Sequence, residues 1–155
     1  PELVVPENQR IFPDPKDPGR LTKLLDSLGG ADLCVGGIGI NGHLAFNEPK
    51  KEMSTAEFSA ITARVLEISP ETRTANAIGD LNGAIEDMPR YAITIGMHEI
   101  LGAKRVRIGV FRQWHRAVVR RAACGEAGSQ FPASLLQNHP DAMILANDVA
   151  SERAV

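Results

Sequence analysis

The chain has 155 residues, a formal net charge of −2, 43% hydrophobic residues and 23% charged residues. That length suits one domain, residues 1–155, with a sizeable core, and the near-neutral charge leaves no electrostatic footprint for nucleic acid or an anionic membrane. Cys34 and Cys124 form neither a disulfide framework nor a metal-ligand spacing, so a reduced, cytoplasmic setting without a structural metal is expected.

In chain order, Leu3-Val4-Val5 is apolar enough for an opening strand. The turn-forming stretch Phe12-Pro13-Asp14-Pro15-Lys16-Asp17-Pro18-Gly19 leads into a helix carrying Leu21, Leu24, Leu25 and Leu28 at helical spacing, and Gly29-Gly30 stop it. Residues 33–35 predict a short buried strand that runs into the glycine-rich turn 36–42. Residues 61–68 alternate as a strand, and Ser69-Pro70-Glu71 reads as the N-cap, first-position proline and first-turn acid of a helix. Then follow a strand over 91–95, a short helix over 97–101 ended by Gly102, and a strand over 105–111. A helix over 114–124, with Gly125 at its C′ position, and a last strand over 142–146 complete the pattern. Strands alternating with helices predict an α/β fold with a largely parallel sheet flanked by helices. So few strands make a small sheet, as expected of the second part of a larger domain. No apolar run approaches a membrane span, and residues 1–6 carry no signal-peptide pattern.

Ligands of such sheets sit at the carboxyl ends of strands, where residues 36–42 fall. Gly37, Gly39 and Gly42 surround His43 there, and glycine tolerates both positive φ and close approach of a ligand to the main chain. The spacing matches G-x-G-x-x-G, but no acid suited to a ribose follows, and a histidine inside the turn argues against a pyrophosphate cradle. His43 titrates near neutrality and is the candidate proton shuttle, while Asn41 and Glu48 are near enough in sequence to fold back on its ring. The plainer alternatives are a histidine bonded only to loop backbone and a Glu48 that is only a turn carboxylate. His98 and His139 read as structural. His115 lies between Arg112 and Arg116 at a helix start, which is either an anion site or a solvated basic face repeating at Arg120. Trp114 reads as a packing residue.

The run Gly36-Gly37-Ile38-Gly39-Ile40-Asn41-Gly42-His43-Leu44-Ala45-Phe46-Asn47-Glu48-Pro49 resembles the hallmark GG-[IV]-G-x-[DN]-GH-[IL]-AFNEP of the glucosamine-6-phosphate deaminase/isomerase family. Looser similarity covers Pro6-Glu7-Asn8, Glu71-Thr72-Arg73-Thr74-Ala75-Asn76, the segment from Pro89 to Gly96, and the segment from Ser134 to Pro140. The resemblance implies a Rossmann-like fold and conversion of an amino-sugar 6-phosphate to a ketose 6-phosphate and ammonia, with no redox cofactor. It gives His43 the role of moving a proton at the sugar ring oxygen, and Asn41 and Glu48 that of orienting and tuning it. It also implies that the base acting at C2 and a serine/threonine-rich phosphate loop lie upstream. An isolated chain of these 155 residues is then expected to have negligible deaminase activity. Family members commonly assemble, so a homo-oligomer is expected.

Three positions depart from the family pattern. Asn41 stands where aspartate is frequent, Ile78 where the family has an arginine, and His115 where it has a phosphate-binding lysine. Arg112 or Arg116 is expected to supply the missing charge, with phosphate binding tightening below about pH 6.5 as His115 protonates. Two other functions share features with this one. A 6-phosphogluconolactonase-like hydrolase has a related glycine–histidine turn but lacks the Phe46-Asn47-Glu48-Pro49 continuation. A non-catalytic sugar-phosphate-sensing domain would fit the altered cation positions, but no helix-turn-helix segment accompanies it.

Overall fold

A computed structural model describes residues 4–153. Leu3 of the expected opening strand lies outside the described residues, and Val4 and Val5 belong to no strand. The first helix, α1 (Gly19–Ser27), ends as expected, with Gly29 and Gly30 at φ +78° and +88° and the Gly30 N–H returning to the Leu25 carbonyl at 2.8 Å. Strand β1 (Cys34–Gly36) follows, and the glycine turn leaves its carboxyl end.

The expected strand over 61–68 shortens to β2 (Arg64–Glu67), and α3 (Pro70–Asp80) starts at Pro70 behind the Ser69 cap. Between β1 and β2 lies a helix absent from the sequence reading, α2 (Thr55–Ser59). It is started by a reciprocal box in which Ser54 Oγ accepts from the Glu57 N–H and the Glu57 carboxylate accepts from the Ser54 N–H at 3.0 Å. Then come β3 (Tyr91–Thr94), α4 (Met97–Leu101), β4 (Val106–Val110), α5 (His115–Cys124), β5 (Ala142–Ala146) and α6 (Asp148–Ser151). Gly125 is the C-cap of α5 at φ −78°, one place earlier than the expected C′ position.

The strands divide between two sheets. β1, β4 and β5 form a parallel sheet in the order β1-β4-β5, with Gly36 opposite Ile108 and Ile108 opposite Ile144. β2 and β3 instead form a separate antiparallel ribbon, with Arg64 opposite Thr94. Alternating half-burial of Arg64-Val65-Leu66-Glu67 suits a ribbon with one wet face, whereas a buried parallel strand needs a continuous apolar run.

Alternate residues of β4, Val106, Ile108 and Val110, are fully buried and form the centre of the core. Met97 and Ile100 of α4, Val118 and Ala122 of α5, and Phe131 and Leu135 around the 3-10 turn Pro132–Asn138 join them in one cluster. The other face of the sheet is bare among the described residues, with Val35 72% exposed, Met143 48% and Leu145 49%. No helix among the described residues is long and apolar enough to cross a membrane.

Two buried polar side chains tie the ribbon to this core. Glu99 accepts hydrogen bonds from the Gly96 N–H (2.7 Å), the Ala63 N–H (3.0 Å) and the Thr22 hydroxyl, joining α1, α4 and the start of β2. Asn47, fully buried, donates from Nδ2 to the carbonyls of Leu44 (2.9 Å) and Ile95 (3.0 Å), and its Oδ1 accepts from Arg64 at 2.8 Å. Replacing Asn47 with Ala leaves two carbonyls and a half-buried guanidinium without these partners. It should cost about 3 kcal/mol of stability, read from the midpoint of urea unfolding.

Candidate functional site

The loop that follows β1 is a compact hairpin of backbone bonds. The Gly39 N–H donates to the His43 carbonyl at 2.9 Å and the Gly42 N–H to the Gly39 carbonyl at 2.9 Å. Ile38 and Leu44, both buried, pair across it and anchor its two limbs in the core. Gly42 takes φ +85°, a left-handed conformation open to glycine. Gly39 is required for a different reason. A Cβ there would lie 1.8 Å from His43 Cε1 and 2.0 Å from Nε2, so the imidazole rests on the bare main chain of residue 39.

His43 is buried at the wall of a cavity of about 540 Å³, with Gly37 and Gly39 on one side and Ala75 and Asn76 of α3 on another. Its ring is held from one edge. Asn41 Oδ1 lies 2.8 Å from Nδ1 and also accepts the backbone N–H of His43 at 3.3 Å. A backbone N–H can only donate, so the Asn41 atom facing it is the carbonyl oxygen, and Nδ1 must carry the ring proton. Nε2 is then left with a lone pair and, among the described residues, no hydrogen-bonding partner. The hydroxyl of Thr72, fully buried in the first turn of α3, lies 3.4 Å from Nδ1 on the same edge. Phe46 stacks near the ring, with centroids 6.1 Å apart.

Asn41 thus folds back on His43 as expected, whereas Glu48 does so only at a distance. Its Oε1 accepts the Ser69 hydroxyl at 2.7 Å, and the same Ser69 oxygen caps the Thr72 N–H at 3.2 Å. Glu48 is thereby fixed at the N-terminus of α3, the end of a helix that favours a negative charge. Burial pushes the His43 pKa below the ordinary histidine value, and the Glu48 charge offsets part of that effect. His43 is therefore a neutral base at pH 7. Replacing Asn41 with Asp places a charge where a neutral carbonyl now sits. NMR titration of the ring should then show the His43 midpoint moved upward; an unmoved midpoint would mean that Asn41 does not control the ring.

The cations expected around the α5 start are otherwise engaged. His115 is buried, its Nδ1 accepting the Arg112 N–H at 2.9 Å and its Nε2–H donating to the Ile38 carbonyl at 3.0 Å. Both nitrogens of the neutral ring are used, and burial lowers its pKa further. The expected tightening of an anion through protonated His115 is therefore corrected, because protonation would set Nδ1–H against the Arg112 N–H. His115 instead pins the β4–α5 turn to the glycine loop. Arg116 pairs with Glu152 and donates to the Val149 carbonyl at 2.9 Å, on the α6 side and away from the residues that line the cavity. Arg112 does line the cavity, and its guanidinium pairs with Asp80 at 2.7 Å. A second, more apolar cavity of about 770 Å³, bordered by Ile40, Thr74 and Ile78, shares Ala75, Arg112 and Trp114 with the first. Among the other histidines, His139 spends both nitrogens on the Ala103 carbonyl and the Asp141 N–H, and His98 lies 3.4 Å from Asp26.

The arrangement can accept a proton at Nε2 of His43 from a ligand in the cavity and return it to another atom of that ligand. Among the described residues, no group of three or more histidine, cysteine, aspartate or glutamate side chains is placed to hold a metal.

No family model matches the sequence. Individual proteins do. The chain is 36% identical to the glucosamine-6-phosphate deaminase of Bacillus velezensis over 133 residues, which is 86% of this chain and 52% of that protein. It is 33% identical to glucosamine-6-phosphate deaminase 1 of Bacillus subtilis over 132 residues, 85% of this chain and 51% of the relative. The chain spans about half the length of the curated relatives it matches. Among solved structures, it superposes on a monomeric glucosamine-6-phosphate deaminase with a TM-score of 0.77 at 32% identity, covering 88% of this chain and 53% of that one. The 6-phosphogluconolactonase of Trypanosoma brucei matches at a TM-score of 0.60 and 18% identity, over 95% of this chain and 57% of the other, and so shares the fold.

Proposed function

We propose, starting from the homology of this chain to the glucosamine-6-phosphate deaminases, that it contributes the ring-opening half of an amino-sugar-phosphate deaminase site. The observation that carries the proposal is the bare Nε2 of a neutral His43, held by Asn41 at the wall of the cavity. Such a nitrogen takes the proton of the anomeric hydroxyl and delivers it to the ring oxygen as the C1–O bond breaks. The product is the open-chain aldehyde, with no net proton gained or lost. Gly37 lines the cavity, whereas the place of a side chain is taken by the His43 ring at Gly39 and by the Phe131 ring at Gly42, so these two glycines seat the loop and do not contact the sugar. Glu48 tempers the effect of burial on His43.

Release of ammonia further requires a base that removes the C2 proton. Asp80 is the sole carboxylate lining the cavity among the described residues, and it is spent on Arg112. On the deaminase reading, the C2 base is supplied by the half of the deaminase fold without a counterpart in this chain. The deaminase reading is preferred to lactone hydrolysis because the deaminases match at 31–36% identity, whereas the Trypanosoma lactonase matches at 18%. Its Phe46-Asn47-Glu48 segment is also used in full: Phe46 against His43, Asn47 on Ile95, Glu48 on Ser69.

The test offers this chain, together with the half of the deaminase fold that carries the C2 base, glucosamine 6-phosphate and 6-phosphogluconolactone in parallel. Equimolar ammonia and ketose 6-phosphate from the first supports the proposal. Hydrolysis of the lactone without ammonia from the amino sugar would replace it with the hydrolase.

A further inference from the structure

We infer that Arg112 is the residue that receives the substrate's phosphate, and that Asp80 holds its guanidinium at the cavity mouth until the phosphate displaces it. The inference rests on the sugar-phosphate reading above and adds to it a partner for the anion and a resident competitor.

Three observations carry it. First, Arg112 is the sole lysine or arginine, and Asp80 the sole carboxylate, lining the cavity of His43 among the described residues. The other cations expected there are withdrawn, Arg116 to Glu152 and His115 to a neutral, doubly bonded ring. A dianionic phosphate entering this cavity thus has one fixed charge to meet. Second, the guanidinium has a built seat. Residue 79 is glycine, and a Cβ there would lie 2.2 Å from Arg112 Nη1, so the side chain lies directly on the backbone of α3. The Arg112 backbone is fixed as well, by its N–H to His115 Nδ1 at 2.9 Å. Third, the ion pair itself is easily exchanged. Its side chains are 47% and 57% exposed, and exposed pairs of this kind add little stability.

A phosphate offers more acceptor oxygens and more charge than a single carboxylate, and the planar guanidinium fork binds it through two parallel N–H bonds. Asp80, at the C-terminal end of α3 and more than half exposed, can turn into water when it is displaced. Arg112 lines both cavities, with Ala75 and Trp114. Asp80 sets how much phosphate is needed to make that exchange.

The inference predicts opposite effects of two single changes on the binding of one small anion. Inorganic phosphate is titrated calorimetrically into the wild-type protein, Asp80→Asn, Arg112→Gln and the double variant. Asp80→Asn should bind phosphate about threefold to tenfold more tightly, because a competing charge is gone. Arg112→Gln should bind it about tenfold or more weakly, the scale of a lost charged hydrogen bond. The double variant should match Arg112→Gln, because Asp80 acts only through Arg112. Equal affinity of Asp80→Asn and wild type, or undiminished binding by Arg112→Gln, overturns the inference. Phosphate binding that follows this pattern, with no ammonia released from glucosamine 6-phosphate when the half carrying the C2 base is also present, leaves the inference standing and defeats the deaminase reading. Ammonia release with no phosphate response at either residue does the reverse.

Discussion

In an enzyme that joins this chain to the half carrying the C2 base, replacing His43 with Gln is expected to lower ammonia release from glucosamine 6-phosphate by about a hundredfold or more, the usual scale for a lost acid–base group. Gln is close in size and keeps a donor for Asn41, so the loop should persist while the titrating nitrogen is lost. The loss should fall on kcat more than on KM, since Nε2 acts on the reacting protons and the phosphate is held elsewhere. A variant within a few-fold of wild-type turnover would remove His43 from the chemistry.

Gly39→Ala is expected to be comparably damaging without replacing any titratable group. The new methyl would lie 1.8 Å from His43 Cε1, and the ring must leave its place against Asn41 and Thr72. Activity should fall as far as in the His43 variant, and forced repacking should cost about 1–3 kcal/mol of stability. Gly36→Ala is the natural control. Its methyl would meet only Ile108 Cδ1 at 3.7 Å, an ordinary contact, so near-normal activity is expected. Equal behaviour of the two alanine variants would mean that the close seat of the imidazole on residue 39 has no functional weight.

Burial of two neutral histidines also gives stability a direction with pH. Burial lowers the pKa of both His43 and His115 in the folded protein. Their contribution is fully present above the unfolded value of about 6.5 and is lost as pH falls through the folded values. Acid should therefore weaken the folded state through these two rings together.

Much of this site was legible in the sequence because its signals are local. Asn41 lies two residues from His43, and a side chain of that reach closes a short turn on its neighbour. Ser69-Pro70-Glu71 marks the start of α3 by cap and proline, and α3 begins there. The Ser54-x-x-Glu57 box was equally local and could have been read as a helix start. What stayed hidden depends on partners distant in sequence. Thr72 meets His43 across 29 residues, and His115 meets Ile38 across 77. That second contact makes a neutral strut of a residue expected at an anion site. The choice of Ser69 over His43 as the partner of Glu48 likewise follows from how α3 docks, which no spacing within residues 36–49 encodes. In the fold, apolar runs located the strands to within a few residues. Whether Arg64–Glu67 joins the parallel sheet or a ribbon with Tyr91–Thr94 is a question of pairing, to which a single strand's pattern is nearly blind.

The claim on which the rest depends is that His43 is neutral, protonated on Nδ1 and bare on Nε2. Nitrogen-15 NMR of the histidine rings, followed from pH 4 to pH 8, reads it directly. The account predicts an Nδ1–H tautomer for His43 at neutral pH, with a titration midpoint below the ordinary histidine value of about 6.5. A proton found on Nε2, or a midpoint above that value, would contradict it.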